Sequence, residues 1–217
     1  MKITQLVDLA NGRLEQEVGI EKKHKIVAKY IVLDTEFKQR DLGFNKYIRV
    51  ISEVTIRVVD NNEELFTATY DLGTPERVLE FGQVMEDIII GTGINHIVGH
   101  GIMTDLIGLR DMAFISTSGE GLRWLDWIVA VDTVELMERE LKRNNRMKGF
   151  FRKHGWTTVR NDGVETFHSN LENFSRYLLK DENYEQEHNS LEDTWDNLKV
   201  YKWLTEREEI VQARAKK

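Results

Sequence analysis

The sequence predicts an α/β fold: a mixed five-stranded sheet, three antiparallel strands followed by two parallel ones, flanked by helices. Three observations carry that expectation. An apolar, β-branched run from Ile26 to Leu33 is followed by a segment of alternating character from Tyr47 to Val58, then by an extended run from Leu65 to Tyr70. Asp60 to Glu64 supplies turn residues between the last two, so the three runs read as an antiparallel meander. Beyond the only proline, Pro75, apolar strand patterns alternate with helical ones, which implies parallel pairing because parallel neighbours need a long crossover.

Taken in order, residues 1–25 are polar, lack a clear period and end in Glu21-Lys22-Lys23-His24-Lys25, so they are read as an N-terminal extension. Ile26 to Leu33 has the composition of a central strand, and it turns acidic at Asp34, where the strand is expected to end. In the next segment Ile48, Val50, Val54, Ile56 and Val58 fall on one face and Tyr47, Arg49, Glu53, Thr55 and Arg57 on the other. Val78, Phe81, Val84, Met85 and Ile88 form a helical stripe over 78–90. Asn95 to Ile102 then reads as a buried strand, Asp105 to Phe114 as a helix, Trp127 to Val131 as a strand and Val134 to Arg143 as a helix. A further helix is expected near Asn170 to Leu179, and a last one runs from about Leu191 into a charged end. The main domain is placed at 26–205 and a charged helical tail at 206–217.

At 217 residues, with 41% hydrophobic and 31% charged residues, the chain is large enough for one substantial core. It has no cysteine, which excludes disulfides and thiolate metal sites and leaves any cation to oxygen and imidazole ligands. That palette suits magnesium or manganese. No stretch approaches the roughly 20 apolar residues of a membrane span, and a cytoplasmic protein is expected. The net charge of −7 sits awkwardly with a nucleic-acid partner, yet carboxylates lining a cation site add negative charge that bound ions cancel.

Three segments carry candidate chemistry. In Leu33-Asp34-Thr35-Glu36-Phe37, residues i and i+2 of a strand share a face, so Asp34 and Glu36 can aim both carboxylates at one point. Read alone, the pair is equally a polar strand end. Val98-Gly99-His100-Gly101-Ile102-Met103-Thr104-Asp105 places Asp105 where a helix opens, a position that a capping carboxylate also occupies. In Glu187-His188-Asn189-Ser190-Leu191-Glu192-Asp193, Ser190 reads as the cap of the last helix, with His188 in the loop before it and Asp193 in its first turn. His188 is then a candidate base beside a cation.

Together and in this order, the three segments resemble the DEDDh branch of the DnaQ-like exonucleases, whose fold is RNase H-like. The resemblance runs from about Ile26 to Leu204 and includes Ala130-Val131-Asp132-Thr133 and the short helix at Met147 to Gly155. Gly101 and Ser190 depart from the family pattern, which has Asn and Ala there; neither removes a ligand. The resemblance implies a 3′ to 5′ exonuclease that releases nucleoside 5′-monophosphates from single-stranded DNA or RNA with two divalent cations, Mg2+ or Mn2+. It implies Asp34, Glu36, Asp105 and Asp193 as ligands and His188 as general base. A polymerase or another replication or repair protein would be its partner. A 3′ exoribonuclease confined to short RNA, or a silent nucleic-acid-binding scaffold, are the alternatives. Thr35 and Phe37 beside the first motif, and Arg143, Arg146 and Lys148 in the basic stretch at 141–154, are the candidate substrate contacts. A solvated helix face explains the same basic charges.

Overall fold

The computed structural model describes residues 29–41, 47–61, 63–116 and 122–215; the N-terminal extension expected at 1–25 lies outside these. Strands β1 (Lys29–Asp41), β2 (Tyr47–Asp60) and β3 (Glu63–Asp71) form the antiparallel meander. They are followed by α1 (Pro75–Thr92), β4 (His96–Gly99), α2 (Ile102–Ser116), β5 (Val129–Asp132), α3 (Thr133–Arg143) and α4 (Asn145–Lys153). A small hairpin of β6 (Thr157–Val159) and β7 (Glu165–Phe167) precedes α5 (Leu171–Leu179) and α6 (Ser190–Ala215). The five-stranded sheet has the order β3-β2-β1-β4-β5, with β4 and β5 parallel to β1, as expected. No helix among the described residues is long and apolar enough to cross a membrane.

The central position of β1 explains its composition. Tyr30, Ile31, Val32 and Leu33 are all buried because helices cover both faces of the sheet. Ile31, Leu33, Val54, Ile56 and Val58 pack under α1 and α2, while Tyr30, Val32, Val59 and Val98 meet Leu198 and Tyr201 of α6. A separate apolar cluster joins α3, α4, α5 and α6 through Met137, Met147, Phe151, Phe174 and Val200. Helix α6 is locked to the meander by Arg57, whose guanidinium donates to Thr194 Oγ1 (2.9 Å), to the Leu191 carbonyl (2.8 Å) and to Glu64 Oε2 (2.9 Å). Charge-assisted bonds of this kind fix position as well as adding energy.

Several boundaries differ from expectation, each for a physical reason. β1 does not end at Asp34 but continues to Asp41, because β2 pairs with it along its whole length. Its parallel ladder with β4 runs over Ile31 and Val32, so β1 extends well past the end of that pairing. The alternation along β2 is interrupted: Glu36 pairs with Glu53 and Phe37 with Ile51, leaving Ser52 as the extra residue of a bulge. The bulge reverses the phase, so Ile51 rather than Val50 joins the core. β4 stops at Gly99 and α2 starts at Ile102, three residues ahead of the expected start at Asp105. The last helix is capped by Asn189, not Ser190: Asn189 Oδ1 accepts from the Glu192 amide (2.9 Å), which leaves Ser190 inside the first turn. The last helix runs on as far as Ala215, into the charged segment at its end.

Candidate active site

Three elements bring carboxylates together near the end of β4. Asp34 and Glu36 lie on β1, on the face that α6 covers. Asp193 comes from the first turn of α6, and Asp105 from the first turn of α2. One carboxylate oxygen each of Asp34, Glu36 and Asp193 lie within 4.8 Å of one another. Ionised carboxylates this close repel, and a shared proton or a bound cation relieves that repulsion.

The close approach of β4 to β1 depends on Gly99. A Cβ there would lie 2.5 Å from Ile102 Cδ1 and 2.8 Å from the Leu33 carbonyl oxygen, the group immediately before Asp34. Gly99→Ala should therefore destabilise the protein by about 1–3 kcal/mol, the usual range for overpacking. Thermal unfolding would read this as a melting temperature lower by roughly 2–12 °C, at about 2–4 °C per kcal/mol for a domain of this size. The loop that follows is set by Gly101, whose φ of 68° suits glycine, and by Asp132, whose Oδ1 accepts from the amides of Gly101 (3.0 Å) and Val134 (2.9 Å).

The electrostatics of the cluster are those of carboxylates held without enough positive charge. Burial first, and then Asp105, Asp193, Glu36 and Glu53, push the Asp34 carboxyl up to about 9. Burial raises Asp105 to about 7, with Asp132 and Glu36 adding to the effect and a bond from Thr35 Oγ1 (2.5 Å) opposing it. Glu36 and Asp193 are also raised, by burial foremost, and in both the nearby His188 works in the opposite direction.

A carboxyl whose folded pKa lies above its unfolded value near 3.9 favours the protonated native state. Its contribution is complete below the unfolded pKa and is lost as pH rises through the folded pKa. The ion-free protein should consequently lose stability between about pH 5 and pH 9. In EDTA its melting temperature should fall by more than about 5 °C across that range, and scanning calorimetry at fixed ionic strength would check the sign.

A cation fits these residues on a separate ground. Asp193 is only 9% exposed, and its Oδ1 is buried without a hydrogen-bond partner. A buried carboxylate oxygen left unpaired costs free energy that a coordinated ion would recover. The all-oxygen donor set suits a hard ion such as Mg2+ or Mn2+.

The structure distributes the other candidate residues unevenly. His188 is exposed in the loop before α6, in a left-handed backbone conformation (φ 52°), within electrostatic reach of Glu36 and Asp193. Its loop is pinned by Arg176, which donates to the Tyr184 carbonyl (2.7 Å), and by the Tyr184 hydroxyl, which donates to Asp196. Thr35 is buried, with its hydroxyl committed to Asp105. Phe37 is half-buried against the core, close to Gly108 of α2. Arg143 is bound to the buried Glu140 (2.5 Å), Lys148 donates to the Lys142 carbonyl (3.0 Å), and Arg146 is exposed on α4. These three basic residues sit on α3 and α4, elements that contribute nothing to the carboxylate group. Sequence reasoning missed Glu53 and Gln186: Glu53 faces Glu36 across β2, and the Gln186 side chain bonds to Asp193.

The chain matches no protein-family model and no curated protein. Among solved structures it is similar to E. coli Exonuclease I in complex with a dT13 oligonucleotide, at 13% identity and a TM-score of 0.51, over 87% of this chain and 43% of that one. The complex of the same E. coli enzyme with a 5cy-dA13 oligonucleotide gives 14% identity and a TM-score of 0.45, over 80% and 39%. The chain thus spans less than half the length of these neighbours. The strand order, the mix of antiparallel and parallel pairing and the flanking helices define an RNase H-like fold, in agreement with the first of these structures.

Proposed function

We propose that the protein is a cation-dependent 3′ to 5′ exonuclease of the DEDDh type, acting on single-stranded nucleic acid. The observation that carries this reading is the gathering of Asp34, Glu36 and Asp193 within 4.8 Å on an RNase H-like sheet, with Asp193 Oδ1 buried and unpaired. The similarity of the fold to an exonuclease crystallised with dT13 supports a nucleic-acid strand as the substrate class.

In this reading Asp34, Glu36 and Asp193, with Asp105 beside them, would hold divalent ions. Bound there, such ions supply activation of the attacking water and stabilisation of the leaving 3′ oxygen. The protein's residues do the rest. His188 accepts the proton of the water whose oxygen forms the new bond to phosphorus. The phosphorus to 3′-oxygen bond breaks, the 3′ oxygen of the shortened strand takes a proton from solvent, and the terminal nucleotide leaves as a 5′-monophosphate. The exposure of His188 lets the proton pass on to solvent before the next turnover. Thr35 positions Asp105 by donating to it, which leaves the other Asp105 oxygen for coordination.

The test is incubation with 5′-labelled single-stranded DNA and RNA in Mg2+, Mn2+ or EDTA. The reading predicts a ladder that shortens from the 3′ end and disappears in EDTA. Tight binding with unchanged substrate under every condition would favour a silent binding scaffold. The ratio of DNA to RNA turnover assigns the nucleic acid.

A further inference from the structure

We propose that Glu53 is a positioning residue of the cation site: oriented by Ser190, it adds an acceptor and negative field beside Glu36 and so strengthens cation binding at Glu36 and Asp193. This rests on the reading of those carboxylates as ligands.

The first support is register. Glu53 stands directly opposite Glu36 across the β1–β2 ladder. Opposed like charges on neighbouring strands are destabilising by themselves. The pairing belongs to the register that runs unbroken from Lys29–Asp60 to Glu36–Glu53, and the bulge at Ser52 follows it.

The second support is the way Glu53 is held. Ser190, fully buried in the first turn of α6, donates its hydroxyl to Glu53 Oε1 at 2.5 Å. Since that proton goes to the carboxylate, Ser190 Oγ must accept from Thr55 Oγ1 (2.6 Å), and Thr55 in turn accepts from Thr69 Oγ1 (2.8 Å). The chain Thr69 to Thr55 to Ser190 to Glu53 therefore has one direction and ends on the carboxylate. The third support is Asp193 Oδ1, three residues further along α6, buried and without a partner, so that positive charge is wanted in the space these groups enclose.

The experiment is Mn2+ titration calorimetry on the full chain, with scanning calorimetry of the ion-free protein alongside. Glu53→Gln should weaken Mn2+ binding by about tenfold, the lower end of what outer ligand-orienting groups contribute. Ser190→Ala should weaken it several-fold, and the double variant should be no weaker than Glu53→Gln, because both act through one bond. Glu80→Gln, exposed on α1, should match the wild type. The ion-free melting temperature of Glu53→Gln should hold or rise as the repulsion across the strands is removed, whereas a merely structural Glu53 would lower it. Mn2+ affinity of Glu53→Gln within twofold of the wild type, or an affinity loss accompanied by a lower ion-free melting temperature, would overturn the inference alone. A wild-type chain that binds no Mn2+ would overturn the underlying site reading, and this inference with it.

Discussion

Asp34→Asn is expected to abolish cation-dependent cleavage and, in EDTA at pH 8, to melt at a higher temperature than the wild type. The two effects have one cause. Asp34 lies half-buried among Asp105, Asp193, Glu36 and Glu53, and its carboxyl is pushed up to about 9. At pH 8 the ion-free wild type must either keep a proton on this group or tolerate the repulsion, both at the expense of stability. Asn has the shape of the protonated acid and carries neither cost. It also cannot bridge cations, and losing several kcal/mol of transition-state stabilisation lowers the rate by about 10⁴-fold, at 1.36 kcal/mol per tenfold. Single-turnover cleavage in Mn2+ and calorimetry in EDTA read the two halves. A variant that lost activity together with ion-free stability would indicate that Asp34 serves the fold.

His188→Asn is expected to lower the rate of cleavage by about 10²- to 10⁴-fold, the contribution of a general base, while Mn2+ affinity stays within about threefold of the wild type. Asn is the informative replacement because it tolerates the left-handed backbone that His188 adopts at φ 52°. His188 is exposed, whereas Asp193 is 9% exposed and has an unpaired oxygen in the cluster. Proton acceptance and cation holding should therefore separate by mutation at these two positions. Single-turnover cleavage and Mn2+ titration calorimetry on the variant read the two quantities separately.

The sheet was legible in the sequence because each strand announces itself locally. The β-branched run before Asp34, the alternation in β2 and the strand–helix alternation after Pro75 all follow from which faces are buried. Asp34 and Glu36 could be paired on the same grounds, since the period of a strand puts them on one face.

What stayed hidden depends on register and on long-range hydrogen bonds. Glu53 could be assigned to the polar face of β2, but its place opposite Glu36 is a matter of strand register, which no local periodicity announces. The choice of Asn189 over Ser190 as cap is likewise tertiary: the Ser190 hydroxyl is engaged by Glu53 and Thr55 from β2, leaving Asn189 to satisfy the helix amide. The β6–β7 hairpin did carry a local signal, Asp162-Gly163 with Gly163 at φ 81°, but strands of three residues are too short for alternation to show.

Whether divalent ions occupy the cluster is measured by anomalous diffraction from crystals grown with Mn2+ and a nucleoside 5′-monophosphate. The predicted result is two anomalous peaks about 3.5–4 Å apart, both coordinated by Asp34 and one of them also by Glu36 and Asp193. Well-ordered carboxylates with no anomalous peak between them at millimolar Mn2+ would contradict it.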